Sequence, residues 1–359
     1  MKPDISVVMS VYNGEDYLSE AIESLIGQSF TNWELIVIND CSTDSTPQIL
    51  AGFAAADSRI KVYTNEVNLK LPSSLNKGIG LSTGKYVARM DADDICLPTR
   101  LEEQFRFMEE NPELALSSCR FMTLKNGVYA SGGAGGRTDH EALKAMLLVA
   151  NPILHPGVIA KRQVMTQYPY DTSLTCTEDL ELWTRLVMAG LKIAIQPECL
   201  LIYRLHDKQI TGTTLDRQRT EVLGIQKKYY ASLLEGMDEK TESFYINGIY
   251  FKKQSNTEQF LAYAKWLRAK TKMHFNANAI NYALFEILAE YKRVGILKAD
   301  VYKAMLTLPP FFLVKEILRR KNAAGRDIAK FIQAAEKRGL KQTHGTKAFP
   351  IFERTNSRS

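Results

Sequence analysis

At 359 residues the chain exceeds one small domain and fits one large or two moderate ones. Its apolar fraction of 45% allows a sizeable core, and its net charge of +6 hides an asymmetry: residues 1–204 carry −7 and residues 205–359 carry +13. Such a split points to a polyanion or an anionic membrane surface as partner of the basic half, or else to a Lys-rich helical domain with a solvated face. Cys41, Cys96, Cys119, Cys176 and Cys199 are scattered and odd in number, with no CxxC pair. This argues against a disulfide framework or a structural zinc site and suits a reducing cytosol. The chain enters a strand directly after Asp4, so no signal peptide is expected. No window approaches the roughly 18 apolar residues of a membrane span. The expected location is the cytoplasm.

In chain order, Ile5–Ser10 reads as a buried strand and Glu15–Ile26 as a helix with Tyr17, Leu18, Ala21, Ile22, Leu25 and Ile26 on one face. Glu34–Ile38 is a second strand, and Asp44–Ala56 a helix with Pro47 in its first turn. Ile60–Tyr63, Pro72–Leu81 and Tyr86–Met90 read as strand, helix and strand. Past Arg100 the spacing loosens. Leu114–Leu124 holds a strand with room for a hairpin partner, and Gly127–Gly136 reads as a flexible loop. Helices at Glu141–Val149 and Glu178–Met188 alternate with strands at Gly157–Ala160, Lys192–Ile195 and Leu200–Tyr203. From Leu215 the pattern is helical, without strand signal, and Thr343–Ser359 is a polar, basic, frayed end. Alternation of this length implies right-handed crossovers and a mostly parallel sheet, in which ligands bind beyond the carboxyl ends of the strands.

The residues after the strands therefore carry the chemistry. They are Val11-Tyr12-Asn13-Gly14-Glu15, Asn39-Asp40-Cys41-Ser42-Thr43-Asp44 and Arg89-Met90-Asp91-Ala92-Asp93-Asp94, with Thr177-Glu178-Asp179 opening a later helix. Three carboxylates within four residues repel one another. A hard divalent cation removes that cost, because it takes one or two carboxylates and fills its other positions with water and phosphate oxygens. Alone, the run is equally an acidic turn ahead of a helix. Beside an aromatic (Tyr12) and a lone carboxylate (Asp40), it suits a nucleoside diphosphate. The chain has neither GxxxxGK[ST] nor GxGxxG after its first strand, so a metal in place of a glycine loop is the consistent arrangement.

These stretches resemble glycosyltransferase family 2 with the GT-A fold. Ile5–Asn13 resembles the family's opening strand, and Trp33–Asp44 its second strand with a "DDGSTD" turn. Asn76-Lys77-Gly78 with Gly84–Asp94 resembles "N-x-G…G-x-Y-x-A-x-x-D-x-D-D". Thr177–Trp183 resembles "ED-x-x-L-W", and Tyr203–His206 resembles "Y-R-x-H". The five motifs are in order and cover about 1–210. The resemblance implies a Rossmann-like, mostly parallel sheet flanked by helices, with a nucleotide-sugar half (about 1–100) and an acceptor half (about 101–210). A basic all-helical region (211–345) and a flexible tail (346–359) follow.

The resemblance also implies residue roles. A UDP-sugar donor would be bound by Val11, Tyr12, Asn13, Glu15, Asp40, Asn76, Arg89, Asp91, Ala92, Asp93 and Arg204, with Asp40 on the uracil or ribose. Asp93, with Asp91 and His206, would hold Mn²⁺ or Mg²⁺, leaving Asp94 mostly as a cap. Asp179 would be the catalytic base and Glu178 its support, while His155 and Trp183 would meet the acceptor. Two departures stand out. Asn39 and Cys41 replace an Asp and a Gly of the second-strand turn, and Cys41 removes a glycine where φ > 0 is often wanted.

One carboxylate base without a second carboxylate nucleophile fits inversion at the anomeric carbon. The implied acceptor is a glycan, typically lipid-linked, in bacterial capsule, O-antigen or exopolysaccharide synthesis, with no nucleic acid partner. Basic amphipathic segments carrying Phe311, Phe312, Lys315, Arg319, Arg320 and Lys321, and then Arg326, Ile328, Lys330, Phe331, Ile332, Ala335, Lys337 and Arg338, suit peripheral docking on the cytoplasmic leaflet. Packing on the catalytic domain, or on a second copy in a homo-oligomer, is the alternative. Two other functions compete: a sugar-1-phosphate nucleotidyltransferase and a non-catalytic sugar-nucleotide or polyanion binder. The first wants a Gly-rich basic loop after the first strand, and the intact Asp91, Asp93 and Asp179 speak against the second.

Overall fold

A computed structural model describes residues 2–131, 139–174, 176–206, 215–233, 257–271, 275–294, 308–309, 312, 340–346 and 349–354. The first half alternates β1 (Ile5–Val11), α1 (Leu18–Ile26), β2 (Trp33–Asn39), α2 (Thr46–Ala56), β3 (Ile60–Thr64), α3 (Lys70–Leu81) and β4 (Tyr86–Arg89). These strands lie in the order β3-β2-β1-β4, all parallel. Every position of β2 is buried, as its unbroken apolar run requires of a strand covered on both faces. Along β1 the side chains divide by parity. Ile5, Val7, Met9 and Val11 pack with α1, while Val8 packs with Leu75 and Ile79 of α3.

The second half comprises β5 (Ile95–Cys96), α4 (Arg100–Glu110), β6 (Leu114–Lys125), β7 (Val128–Ser131), α5 (His140–Met146), a 3₁₀ turn (His155–Gly157), β8 (Ile159–Lys161), α6 (Arg162–Gln167), α7 (Glu178–Met188) and β9 (Lys192–Arg204). β8 sits antiparallel between β4 and β6, and β6 runs parallel to β9. Most paired positions of the sheet are in parallel register, as expected. The strands expected at Lys192–Ile195 and Leu200–Tyr203 are one strand. Its register slips between Ile195 and Cys199, where Pro197 has no N–H to give the ladder. Part of the expected 127–136 loop is ordered too. Asn126 and Gly127 both have φ > 0 (49° and 78°), the geometry of a tight hairpin turn joining β6 to β7.

Helices α8 (Leu215–Leu233), α9 (Thr257–Thr271) and α10 (Ala277–Val294) do not form a core of their own. Tyr229, Tyr263, Ile280 and Leu284 belong to the same cluster as Leu143 of α5 and Trp183 of α7. Tyr229 donates to the Lys144 carbonyl (3.0 Å), Gln226 to the Leu147 carbonyl (3.1 Å) and Thr177 to Glu221 (2.8 Å). The reason lies in α10, where Ala279, Ile280, Tyr282, Ala283, Leu284, Phe285, Ile287 and Leu288 are all buried. A helix so widely apolar must be covered on several sides. Two strands, β10 (Leu340–Thr346) and β11 (Phe349–Arg354), correct the expectation of an all-helical C-terminal region and a flexible tail. They pair antiparallel, and Ile351 of β11 meets Val128 on the edge of β7, which an unpaired strand invites. The boundary near 210 and the basic segments from Lys315 to Arg338 lie outside the described residues. No described helix is long and apolar enough to cross a membrane.

Glu34 fastens the edge opposite the strand C-termini. It accepts from Ser6 (2.6 Å), from the Thr83 N–H (2.9 Å) and hydroxyl (2.7 Å), and from Lys61 (2.7 Å). Gly84 is required beside it, because a Cβ there would lie 2.7 Å from the Ser6 nitrogen. Burial pushes the Glu34 carboxyl up, but the hydrogen bonds from Lys61, Ser6 and Thr83 outweigh it and hold the group down at about 2. The folded value lies below the unfolded one. The linked stability, about 3 kcal/mol, is therefore present above pH 4.5 and is lost as pH falls towards 2. Glu34→Gln is expected to lose most of it at pH 7 and to flatten the pH dependence below 4.5, as read from urea midpoints.

Candidate active site

The loops after β1 and β2 are laced to each other. The Asn13 N–H donates to Ser42 (3.0 Å) and the Gly14 N–H to Thr46 (2.9 Å); Thr43 N–H donates to the Asn13 side chain (2.8 Å). Glu15 takes the Ser45 N–H (2.9 Å) while its own N–H reaches Asp44 (3.1 Å). This is why α1 starts at Leu18 rather than at Glu15. Cys41 adopts φ +62°, so the turn keeps the left-handed geometry that its lost glycine put in question.

Several of the expected donor residues also hold the loops together. Asp40 is 2% exposed and accepts from Asn65 (2.8 Å), Leu69 N–H (2.8 Å) and Lys70 N–H (2.9 Å), so it builds the loop after β3. Asn76 exchanges two hydrogen bonds with the Tyr170 backbone, each 2.9 Å, which tie α3 to the segment before α7. Asn13 and Glu15 are loop staples, and the Val11 carbonyl takes the Asp40 N–H (2.8 Å). Tyr12, 53% exposed at the strand end, is free to stack.

The acidic run follows β4. Single oxygens of Asp91, Asp93 and Asp94 lie within 4.8 Å of one another. Ala92 between them is half-buried and packs on the β1–α1 core. Arg89, buried beneath them, is ion-paired with Asp91, and its Nε and Nη1 make no hydrogen bond among the described residues. Asp93 faces His206 (2.9 Å). Arg204 uses Nε on the Asp93 carbonyl (2.9 Å) and Nη2 on Glu20 (2.5 Å), and its guanidinium lies 4.6 Å from the Tyr17 ring centre. It braces the acidic loop from the end of β9. Asp94 caps no helix. It is fully buried, takes the Arg204 N–H (3.0 Å) on Oδ1 and has no partner for Oδ2 among the described residues.

Burial, opposed by Arg89 and reinforced by Asp93, pushes Asp91 up to about 6. Burial, then Asp91 and Asp93, hold Asp94 well above the usual carboxylate range. An all-oxygen cluster with a buried orphan oxygen and mutual repulsion is the chemistry that a hard divalent cation relieves, so these residues fit one.

The first turn of α7 carries the second acidic pair. Asp179 is half-buried and takes Asn151 Nδ2 (2.7 Å) and Leu180 N–H (2.7 Å). Glu178 is buried, with Oε1 3.6 Å from His155 Nδ1 and Oε2 unpartnered. Burial first, then Asp179, pushes Glu178 up to about 7, and burial raises Asp179 as well. The Arg89 charge opposes the upward shift of Asp91 most, and of Asp94, Glu178 and Asp179 less, so both acidic groups, far apart in sequence, lie within its electrostatic reach.

His155 and Trp183, expected beside the acceptor, are both buried. His155 is 8% exposed and bonded to the Tyr170 hydroxyl (2.8 Å), and burial and then Arg89 hold it well below its ordinary value, hence neutral. Trp183 is fully buried against it, because α7 turns its Leu180–Trp183–Val187 side into the core.

Asn151, Tyr170 and Arg100 were missed in the sequence. Arg100 is buried and donates to the Arg89 and Pro156 carbonyls (2.7 Å each). Its signal was a cation in the first turn of a helix, where the dipole disfavours it. Nothing in spacing marks the other two.

The comparisons with known proteins agree with this geometry. Residues 6–158 match the Glycosyl transferase family 2 model. A Haemophilus influenzae protein described as an uncharacterized glycosyltransferase is 32% identical over 71% of this chain and 82% of its own. The putative teichuronic acid biosynthesis glycosyltransferase TuaG of Bacillus subtilis is 30% identical over 59% of this chain and 83% of its own. Among solved structures, S. aureus TarS 1–349 in complex with UDP-GlcNAc aligns with a TM-score of 0.55 at 16% identity over 100% and 98% of the two chains. The mannosyltransferase PcManGT of Pyrobaculum calidifontis, in complex with GDP-Man and Mn²⁺, aligns at 0.51 and 17% over 91% and 88%. The chain is a glycosyltransferase of the GT-A fold. It belongs to glycosyltransferase family 2.

Removing Asp40 should damage the fold before it changes donor selectivity. Asp40→Ala removes the acceptor of the Leu69 N–H and of one Asn65 amide hydrogen, and one of two acceptors of the Lys70 N–H, and is expected to cost about 2 kcal/mol, measured by urea unfolding.

Proposed function

We propose that the protein is an inverting, metal-dependent glycosyltransferase. It moves a hexose or N-acetylhexosamine from a UDP-sugar to a hydroxyl of a glycan acceptor, lipid-linked, in the synthesis of a bacterial surface polysaccharide on the cytoplasmic side of the membrane. The observation that carries this reading is the buried Arg89, whose charge acts on both the carboxylate run after β4 and the acidic turn of α7. One group suits a diphosphate and its cation, and the other suits a base. TuaG, whose description places it in teichuronic acid biosynthesis, and TarS, solved with UDP-GlcNAc, support the donor and the pathway class.

Asp91 and Asp93, with His206 behind Asp93, would hold Mn²⁺ or Mg²⁺, which supplies Lewis-acid stabilisation of the departing diphosphate. Arg204 keeps the Asp93 carbonyl in place, and Tyr12 offers a face to the base. Asp179 takes the acceptor's hydroxyl proton as the hydroxyl attacks the anomeric carbon, a step worth about 10²–10⁴-fold. Glu178 beside it faces inward and carries a proton at neutral pH more readily, which leaves Asp179 as the anion of the pair.

UDP release from a panel of UDP-sugars with Mn²⁺, with and without EDTA, tests this. Turnover should need the metal, and turnover in EDTA would remove the role given to Asp93. Asp179→Asn is expected to lower transfer by at least about 100-fold while UDP binding persists. Retained transfer would move the base elsewhere.

A further inference from the structure

The loop ahead of β8 makes two contacts with the first turn of α7, one inside the core and one at the surface. At its inner end His155 is buried beside Glu178 and packs edge-on against Trp183, with ring centres 5.8 Å apart. Ser118 donates to the neighbouring Leu154 carbonyl (2.9 Å), and Arg100 takes the Pro156 carbonyl (2.7 Å). At its outer end Asn151 is exposed and donates Nδ2 to Asp179 Oδ2 (2.7 Å). The orientation of the Asn151 amide is itself set, because its Oδ1 accepts the Ile153 N–H (3.2 Å). Asp179 Oδ1 is meanwhile held by the Leu180 N–H (2.7 Å). Each oxygen of the carboxylate therefore has one donor, the first from its own helix and the second from an anchored loop.

We propose that Asn151 is a positioning residue for the transfer reaction: its carboxamide fixes the Asp179 carboxylate in the orientation that receives the acceptor's proton. This rests on the reading of Asp179 as the base. An exposed side chain adds little to the core, so its removal should be felt in the chemistry more than in the fold. A donor fixed by a rigid loop holds an acceptor group within the narrow range that proton transfer needs.

Charge gives the proposal a second readout. Asp179 is faced by Glu178 on its own helix, by Arg89 from β4 and by the Tyr170 phenol from the segment before α7; the nearby His155 is neutral. Burial pushes Asp179 up, and the bonds from Leu180 and Asn151 pull it down. A base works when deprotonated, so loss of the Asn151 bond moves the acid limb of kcat to higher pH. A carboxylate at 151 moves it further, since a like charge disfavours the anion.

The experiment measures kcat and donor KM against pH for wild type, Asn151→Ala, Asn151→Asp and Asp179→Asn, with UDP binding by calorimetry as the check on folding. Asn151→Ala should lower kcat at least about 10-fold, within the 10²–10⁴ a positioned base supplies, with donor KM and UDP binding unchanged. Its acid limb should lie above wild type, and that of Asn151→Asp higher still. A wild-type kcat, or an unmoved acid limb, in Asn151→Ala while Asp179→Asn is inactive overturns the role of Asn151 and leaves Asp179 as base. An acid limb for Asn151→Asp below that of Asn151→Ala overturns it too. Transfer by Asp179→Asn overturns both.

Discussion

Arg89 is an ion with 5% of its surface exposed, placed at the end of a four-residue strand, and much of the site follows from where its charge sits. An unpaired buried guanidinium is strongly destabilising, so carboxylates must gather around it. Asp91 pairs with it directly, and Glu178 and Asp179 feel it across the sheet edge. Its backbone is held on both sides, by the Val158 carbonyl (2.9 Å) and by Arg100 (2.7 Å). Burial, and after it the same charge, keeps the nearby His155 imidazole neutral.

Around this centre the strand-end loops spend most of their polar groups on one another. Asn13, Glu15, Ser42, Asp44, Asp40 and Asn65 bond across loops that follow different strands. Such lacing fixes the ends of β1, β2 and β3 before any ligand arrives, and preorganisation of this kind is what lets a polar site act without reorganising. It also separates two kinds of residue that look alike in a motif. Asp40 and Asn76 are bonded into the frame, while Asp91, Asp93 and Asp179 keep part of their surface open.

The strands and helices of the first 100 residues were legible because a buried strand and an amphipathic helix leave different periods in the chain. The five ordered motifs placed the two acidic groups as well. What the sequence did not carry was direction. A polar residue after a strand can turn toward the ligand or toward the next loop, and Asp40 and Arg204 both take the second course because backbone N–H groups or a carbonyl lie within reach. Trp183 and His155 were misread for the same reason: α7 presents apolar residues on more than one side, and only its packing against the 3₁₀ turn shows which is buried. Pairings between distant segments, such as β11 on β7, leave no local period to read.

Adjacent residues Glu178 and Asp179 show how environment divides a pair that sequence treats as equal. Both sit at a helix N-terminus, where the dipole favours an anion on either. Glu178 points into the core toward a neutral imidazole and lacks a partner for one oxygen, so its charged form is poorly solvated. Asp179 points outward and has a donor on each oxygen. Two carboxylates this close do not ionise independently, and the proton goes to the one with fewer donors. The burial of Glu178 thus does more than fill space: it draws the pair's proton to the inner carboxylate and favours charge on the outer one.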